Sequence, residues 1–350
     1  MRVLVTGGAG FVGANVAIGL AARHPEWEIT VLDNLRRRGG ELNLYRLREA
    51  GVAFVHGDVR VLSDLDGLGQ HDALVECSAE PSALAGVDGT PNYVVQSNLI
   101  GAYHCLELAR RDGAALVFLS TSRVYPVAAL CELALEEHET RFELAGAQRV
   151  PGASAAGIGE DFPLAGARTI YGATKLAAEL LIEEYRAAYG LRAVVNRCGV
   201  IAGPWQMGRV DQGVFTYWML AHHFRRPLRY IGFGGKQVRD LLHVDDLLAL
   251  LDEQLGAADD WDGVTANVGG GRGCSLSLLE TTALCEEITG HRVDPGTVAD
   301  ARAGDVPLYI SDCARVSALS PWRAERGPRE ILADTHAWIC ANEAAVRQAL

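Results

Sequence analysis

The first third of the chain alternates short apolar runs with amphipathic stretches. The apolar runs predict strands at residues 3–5, 29–32, 53–56, 73–77 and 116–120, and the amphipathic stretches predict helices at 14–21, 42–50 and 92–111. Strands separated by helices imply parallel βαβ units with right-handed crossovers. Because the strands are almost continuously apolar, we expect a parallel sheet covered by helices on both faces.

This rhythm breaks after residue 125. Residues 126–168 are rich in Ala, Gly and Glu, and we interpret them as an insertion with a helix over 130–138. A predicted helix over 174–188 and a strand over 193–197 resume the alternation. The pattern is less regular from residue 199 onward. We therefore predict a first domain over 1–198 and a smaller lobe over 199–350, with some segments of the lobe returning to the first domain.

The composition narrows the possible classes of protein. The 350 residues are 49% apolar and carry a net charge of −12. The apolar fraction excludes a disordered chain, and the acid excess argues against a nucleic-acid-binding protein, which must neutralise phosphates. No apolar run approaches the roughly 20 residues that span a bilayer. Met1 and Arg2 lead directly into the first predicted strand, so we expect no signal peptide and a cytoplasmic protein without membrane contact.

The eight cysteines show no C-x-x-C spacing, and most lie in apolar stretches. Such cysteines are typical of buried free thiols in a reducing compartment. We therefore expect neither disulfide bonds nor a metal site.

A glycine-rich turn lies between the first predicted strand and helix. Gly7, Gly10 and Gly13 form a G-x-x-G-x-x-G pattern, which lets the backbone and the helix N-terminus approach a pyrophosphate. Asp33 follows at the end of the second strand, where a carboxylate accepts hydrogen bonds from a ribose and repels a 2′-phosphate. The arginines at 36–38 are compatible with NADP, but Asp33 comes first, and we predict NAD.

Asp58 follows the third predicted strand. A carboxylate at this position can accept a hydrogen bond from an adenine amino group. An aspartate in an ordinary turn after a strand explains the residue equally well.

Tyr171 and Lys175 open a predicted helix, and Lys175 is one of only two lysines in the chain. A spacing of four residues places both side chains on one helical face. An adjacent ammonium lowers the pKa of a tyrosine from about 10 towards neutrality. The pair therefore predicts a general base for a sugar hydroxyl.

Hydroxyl side chains end the strand before the insertion, in the segment Ser120-Thr121-Ser122-Arg123-Val124-Tyr125. One of these hydroxyls can bond the reacting oxygen beside Tyr171. Without the other two motifs, a solvated strand end would be the simpler interpretation.

Together the three motifs resemble the extended short-chain dehydrogenase/reductase family of nucleotide-sugar epimerases and dehydratases. The resemblance implies an α/β fold, with a Rossmann-type doubly wound parallel sheet that binds NAD and a smaller C-terminal substrate-binding lobe. It implies that Tyr171, Lys175 and Thr121 are the catalytic residues. It places these residues at the cofactor: Gly7, Gly10, Phe11, Val12, Gly13, Asp33, Asn34, Asp58, Val59, Ser78, Ala79, Asn98, Tyr171, Lys175 and Cys198.

The resemblance also implies a nucleotide-diphosphate sugar as substrate and a homodimer as the assembly. Arg239 matches a family arginine that binds the diphosphate, and Arg302 matches one that often does so, in keeping with bidentate Arg–phosphate bonding. Taken alone, Arg302 is explained equally well as a surface side chain. The implied substrate contacts are Thr121, Ser122, Arg123, Gln206, Gln212, Arg239 and Arg302.

Two departures from the family pattern narrow the activity. Family 4,6-dehydratases carry Asp and Glu after the active-site Thr, whereas this chain has Ser122 and Arg123, which cannot remove water as an acid and base. Val200 replaces an asparagine common in 4-epimerases. The segments at 197–208, 210–215, 267–271 and 275–279 resemble the CDP-paratose 2-epimerase subgroup, which implies inversion at carbon 2 of a CDP-sugar. A UDP-hexose 4-epimerase, a net dehydrogenase and a non-catalytic NAD-binding regulator remain alternatives.

Overall fold

The structure is a computed structural model that describes residues 1–87, 89–209 and 212–350. Val210 and Asp211, which belong to one of the subgroup segments, lie outside the described residues. Among the helices that are described, none is long and apolar enough to cross a membrane.

The strands of the described chain run in the following order: β1 (Arg2–Thr6), β2 (Glu28–Asp33), β3 (Ala53–His56), β4 (Ala73–Glu76), β5 (Ala115–Thr121), β6 (Leu135–Glu137), β7 (Phe142–Leu144), β8 (Ala153–Ser154), β9 (Gly157–Ile158), β10 (Ala193–Cys198), β11 (Val200–Ala202), β12 (Arg229–Ile231), β13 (Val238–His243), β14 (Thr265–Val268), β15 (Ser275–Ser277), β16 (Gly296–Val298) and β17 (Leu308–Tyr309).

The α-helices of the same ranges are α1 (Phe11–Arg23), α2 (Leu44–Glu49), α3 (Leu62–Asp66), α4 (Asn92–Val95), α5 (Gly101–Asp112), α6 (Val127–Cys131), α7 (Ile170–Tyr189), α8 (Val214–His223), α9 (Val244–Gly256), α10 (Leu278–Thr289), α11 (Ala314–Leu319), α12 (Pro328–Ala341) and α13 (Glu343–Ala349). A π-helical turn joins α4 to α5, and a 3₁₀ turn follows β5.

The predicted parallel sheet is confirmed. Seven parallel strands lie in the order β14-β10-β5-β4-β1-β2-β3, so β14 returns from the C-terminal half to join the sheet. Alternate residues of β1 point to opposite faces: Val3 and Val5 pack in the core with α1 and α9, and Leu4 packs in the core with α5 and α7. Both faces are therefore buried, which explains the continuous apolar strands.

The C-terminal half forms a smaller lobe at the carboxyl end of this sheet. Strands β11, β13 and β15 pair there, and β17 pairs with β13. Helices α8, α10 and α12 pack against one another in a separate apolar core. The lobe faces the strand ends, which is where open α/β sheets bind ligands.

One predicted element is wrong. The helix expected over 130–138 is instead the short helix α6 followed by the antiparallel hairpin β6–β7. Leu135 lies opposite Leu144 in the hairpin, and Leu144 packs in the core with Tyr125 and Phe162. Tertiary packing of these side chains outweighs the local helical preference of the Ala- and Glu-rich stretch.

The prediction of buried thiols holds for part of the set. All eight cysteines are free thiols, and those at 105, 198, 274 and 285 are buried. Cys131 and Cys340 are exposed, which corrects the expectation for these two. Both lie at or near helix ends, where an apolar neighbourhood in sequence does not ensure burial.

Candidate active site

The glycine-rich turn forms the floor of the first cavity. Gly7 has φ +63°, and a Cβ there would lie 2.8 Å from the Cα of Ser78, so only glycine fits. Gly10 precedes α1 and provides no side-chain cap, so the helix leaves backbone N–H groups unsatisfied at this end. The turn lines a cavity of about 600 Å³. Backbone donors and a helix dipole at this position fit a dinucleotide pyrophosphate.

Asp33 ends β2 at the wall of the same cavity. Its carboxylate accepts hydrogen bonds from the backbone N–H of Ala9 at 3.1 Å and of Leu35 at 2.7 Å. Burial raises the pKa of Asp33, and these backbone donors oppose the rise. The carboxylate is therefore held firmly at the position predicted to contact a ribose.

The arginines that follow Asp33 have partners of their own. The Arg36 guanidinium lies 3.9 Å from the ring centroid of Tyr93. Arg37 donates to the Gln212 side chain at 2.5 Å, and Arg38 donates to the backbone carbonyl of Gln348. Arg36 and Arg37 line the cavity beside Asp33.

Asp58 lies beside Asp33 in the wall of the same cavity, because it follows the neighbouring strand β3, and Asn34 and Arg60 hold it there. Arg60 donates to both carboxylate oxygens, the shortest contact being 2.6 Å, and Asn34 donates at 2.9 Å. Burial alone would raise the pKa of Asp58, but these donors lower it to about 2. The carboxylate is therefore ionised at neutral pH and available as an acceptor.

The other predicted cofactor residues separate into two groups. Phe11, Val12, Val59, Ser78 and Ala79 line the cavity, as do the three glycines. Asn98 lines neither this cavity nor the next and is buried; its side-chain amide pairs with the backbone N–H and carbonyl of Glu80. Asn98 thus fixes the backbone of Glu80, which lines the cavity, and its own contact with the cofactor stays a prediction.

A second cavity of about 660 Å³ adjoins the first, and the two share Phe11, Val12, Cys77, Ala79, Pro81, Gln206 and Gln212 in their walls. This second cavity brings together the remaining predicted site residues: Thr121, Ser122, Arg123, Tyr171, Lys175, Cys198, Gln206, Gln212, Arg239 and Arg302.

Tyr171 and Lys175 lie in the first turns of α7. The Thr169 hydroxyl caps this helix by accepting from the N–H of Gly172 at 3.2 Å. A Cβ on Gly172 would lie 2.0 Å from the carbonyl oxygen of Arg123, so glycine is required for α7 to approach the end of β5. This close approach brings Tyr171 to Thr121.

The electrostatics of the Tyr–Lys pair include a residue that the sequence analysis missed. Burial raises the pKa of Tyr171 above its ordinary value, and Lys175 and the Thr121 hydroxyl only partly oppose the rise. The net direction is opposite to the lowering expected from the Tyr–Lys spacing. Burial also disfavours the charged form of Lys175, but Glu76 overcomes this effect and raises the pKa of Lys175. The Nζ of Lys175 lies 3.2 Å from Oε2 of Glu76, and both side chains are buried.

Glu76 is the last residue of β4. Its carboxylate also accepts a hydrogen bond from the Ser78 hydroxyl at 2.6 Å. The sequence signal available was an acidic residue at the end of the otherwise apolar run 73–77, since buried carboxylates are rare unless they are paired.

Arginines also line the second cavity. Arg239 donates to Asp305 at 2.6 Å and to the carbonyl of Val306 at 2.8 Å, whereas Arg123 donates to the carbonyl of Gly304 at 3.0 Å. Burial, reinforced by the neighbouring charge of Arg239, lowers the pKa of Arg123 to about 10. Two guanidinium groups held close together in this way can bind an anion such as a diphosphate.

Two glutamines lie where the two cavities adjoin. Gln206 is buried, accepts from the Thr216 hydroxyl at 2.5 Å and donates to the carbonyl of Ile201 at 2.9 Å. Gln212 lies across from it and accepts from Arg37. Both line both cavities, so they are positioned between the two ligands predicted to occupy them.

A cavity suited to a dinucleotide that opens onto a buried Tyr–Lys pair is typical of enzymes that transfer a hydride between a nicotinamide and an alcohol. Residues 3–269 match the model of the NAD dependent epimerase/dehydratase family. The chain belongs to this family, and NAD is its cofactor.

The similar proteins cover nearly the whole chain. CDP-paratose 2-epimerase from Salmonella typhi is 28% identical over 97% of this chain and 99% of its own length. A dTDP-glucose 4,6-dehydratase from Mycolicibacterium smegmatis is 31% identical over 98% of this chain and 94% of its own. The solved structure of UDP-glucose 4-epimerase from Thermus thermophilus in complex with NAD superposes with a TM-score of 0.77 at 25% identity, covering 97% of this chain and 99% of that one. The protein is thus an NAD-dependent enzyme of the nucleotide-sugar epimerase and dehydratase type.

Proposed function

We propose that this protein inverts carbon 2 of a CDP-sugar, in the manner of the conversion of CDP-paratose to CDP-tyvelose. The observation that carries the proposal is the placement of Tyr171, Lys175 and Thr121 in one cavity beside that of the cofactor, with Ser122 and Arg123 where dehydratases carry an acid and a base. The similarity to CDP-paratose 2-epimerase over the full chain supports the choice of substrate.

In this proposal, residues of α7 and β5 transfer the proton of the sugar hydroxyl and stabilise the charge that this transfer creates. Tyr171, as a phenolate, removes the proton from the 2-hydroxyl and returns it at the end of the cycle. Lys175 stabilises the phenolate, and Thr121 hydrogen-bonds the sugar oxygen while its charge changes. Bound NAD supplies the acceptor and donor of the hydride. Because the hydride leaves carbon 2 and returns to its other face, no net oxidation occurs.

The cofactor residues present fit NAD. The glycine-rich turn, the N-terminus of α1 and Asp33 line one cavity, where the turn and helix would hold the pyrophosphate and Asp33 would accept hydrogen bonds from the adenosine ribose. An ionised or hydrogen-bonded carboxylate at this position disfavours a 2′-phosphate, which supports NAD over NADP.

The substrate is proposed to bind through its diphosphate. Arg123, Arg239 and Arg302 line the same cavity as Tyr171. Arg123 follows β5, whereas Arg239 and Arg302 belong to the C-terminal half of the chain. Anchoring the diphosphate there lets the sugar turn over between hydride removal and return. We accordingly propose that residues 1–198 bind NAD and that residues 199–350 mainly bind the nucleotide sugar.

A second candidate is a 4-epimerase acting on a UDP-hexose. The fold similarity to UDP-glucose 4-epimerase favours it, and the same three catalytic residues would act on a different carbon. The two candidates differ in the sugar and the nucleotide base, so substrates separate them.

The test is proton NMR of CDP-paratose incubated with the purified protein in deuterated water, without added NAD. We expect conversion to CDP-tyvelose with no deuterium in the sugar, because the hydride returns from NAD retained by the protein. If bound NAD is confirmed and CDP-paratose is unchanged while a UDP-hexose is epimerised, the CDP-sugar proposal is wrong and the second candidate replaces it.

The matched variants are Tyr171→Phe and Tyr217→Phe, since both tyrosines line the substrate cavity. Loss of the Tyr171 hydroxyl should abolish turnover and leave NAD binding intact. Tyr217→Phe should retain turnover. Near-normal turnover by Tyr171→Phe would end the assignment of Tyr171 as the base.

A further inference from the structure

Three possible metal ligands converge far from both cavities, where helices α8 and α12 pack together. His223 is the last residue of α8, and His336 and Cys340 lie on α12. A spacing of four residues places His336 and Cys340 on one face of their helix, one turn apart. None of the three takes part in the proposed reaction.

The distances among the donor atoms match those around a tetrahedral metal ion. Nδ1 of His223 lies 3.2 Å from Nε2 of His336, and the Cys340 sulfur lies 3.5 Å from Nε2 of His336 and 4.0 Å from Nδ1 of His223. A tetrahedral zinc ion with ordinary bond lengths separates two nitrogens by about 3.3 Å and a nitrogen from a sulfur by about 3.6 Å. The three atoms therefore already surround a point at bonding distance from each.

A carboxylate lies near the second ring nitrogen of His223, the one that faces away from the cluster. Nε2 of His223 lies 3.7 Å from Oε2 of Glu343, at the start of α13. This distance exceeds that of a hydrogen bond, and the Glu343 carboxylate accepts a hydrogen bond from Arg347 at 2.7 Å, so Glu343 acts on His223 through its charge alone. The side chain of His223 is 13% exposed, and Cys340 is exposed, so an ion can reach the cluster from solvent.

We propose that His223, His336 and Cys340 bind a zinc ion, with water in the fourth position. Two imidazoles and a thiolate are the donors that Zn²⁺ prefers, and three protein ligands with an open position form a common arrangement for it. This proposal is independent of the proposed function, because it concerns other residues and another surface.

Such an ion would join two helices of the C-terminal lobe. The other end of α8 reaches the substrate cavity, which Phe215 and Trp218 line. An ion at His223 would hold the far end of α8 against α12. We therefore expect the site to stabilise the lobe.

The experiment uses full-length protein without a histidine tag, stripped with a chelator and kept under a reducing agent that does not bind metal. Zn²⁺ is titrated by calorimetry, and Co²⁺ is titrated by absorption spectroscopy because a thiolate ligand gives cobalt a charge-transfer band. We expect one ion per chain, a thiolate–cobalt band, and a rise in the unfolding temperature with Zn²⁺.

The variants are Cys340→Ser and His336→Gln, with Cys131→Ser as the matched control because Cys131 is the other exposed cysteine. Cys340→Ser should remove the cobalt band, and both ligand variants should weaken zinc binding by more than about 100-fold. Glu343→Gln removes only a nearby negative charge, so it should weaken binding much less than the ligand variants do. Cys131→Ser should bind as the parent does.

Absence of stoichiometric zinc binding by the folded parent would overturn the proposal. A cobalt band that persists in Cys340→Ser, or that disappears in Cys131→Ser, would overturn the assignment of the ligands. Circular dichroism of each variant establishes that the fold is retained, and exposed Cys340 tolerates serine on steric grounds.

Discussion

The buried ion pair between Glu76 and Lys175 should determine much of the stability of the site. Replacing Glu76 with glutamine leaves an ammonium of 3% side-chain exposure without its counter-charge. Two unit charges 3.2 Å apart interact by about 5 kcal/mol at an effective dielectric constant of about 20. Breaking one partner of a buried pair costs about 3–5 kcal/mol, and we expect Glu76→Gln to lower the free energy of unfolding by that amount.

The assay is equilibrium unfolding in urea of protein stripped of nucleotide, for Glu76→Gln, Lys175→Met and the double variant. The double variant leaves no unpaired buried charge. It should therefore lose several kcal/mol less than the sum of the two single losses. The stripped protein is required because bound nucleotide would add its own stabilisation.

The control is the ion pair of the other lysine in the chain. Nζ of Lys236 lies only 2.8 Å from Oε1 of Glu137, but the side chain of Glu137 is 63% exposed. An exposed pair contributes at most about 1 kcal/mol, so Glu137→Gln should have a small effect despite the shorter distance. The reasoning fails if Glu76→Gln costs no more than Glu137→Gln, or if the two single losses at the buried pair simply add.

Three further changes test other parts of the structure. Asp33→Asn should lower the preference for NAD over NADP at least tenfold in calorimetric titrations, because the carboxylate no longer repels a 2′-phosphate; an unchanged preference would contradict the role of Asp33. Burial raises the pKa of Asp240 to about 6, above the roughly 3.9 of the unfolded chain, so the native state holds its proton between these values and stability falls as pH rises from about 4 to 6. The asparagine of Asp240→Asn does not titrate. Between pH 4 and 6 the free energy of unfolding of this variant, measured in urea, should therefore rise by up to about 3 kcal/mol relative to that of the parent. A difference between the two proteins that does not change with pH would exclude this titration. Arg239→Met should weaken binding of the nucleotide sugar at least tenfold while leaving NAD binding unchanged, and equal loss of both ligands would instead indicate a structural role.

The parts of the site that could be predicted from the sequence each lie within one short segment of the chain. The glycines at 7, 10 and 13 and the Tyr171–Lys175 pair each lie within seven residues, so their spacing alone fixes which face or turn they share. The strands of the sheet were found for the same reason, since burial on both faces leaves a local apolar run. These features needed no knowledge of the tertiary fold.

The parts that were missed depend on contacts between distant segments. Glu76 and Lys175 are 99 residues apart, and His223 and His336 are 113 residues apart. The local sequence around each of these residues does not indicate its partner, because the contact depends on how β4 packs against α7 and how α8 packs against α12. The hairpin β6–β7 was missed for a related reason: its strands are short, and its stability comes from packing on Tyr125 and Phe162.

The arginines at the substrate cavity show that locating a residue does not settle how it acts. Arg239 lines the cavity proposed for the substrate, yet it already forms an ion pair with Asp305, so its charge is partly compensated before any substrate arrives. Arg123 donates to a carbonyl rather than to a carboxylate, and a pKa of about 10 keeps it charged at neutral pH. Asp305 also acts on the charge of Arg123, so this one carboxylate partly compensates both arginines, and its ion pair with Arg239 orients that side chain. Family dehydratases carry their acid and base where this chain has Ser122 and Arg123. Arg123 therefore cannot supply that chemistry, and we expect it to contribute to the binding of an anion instead.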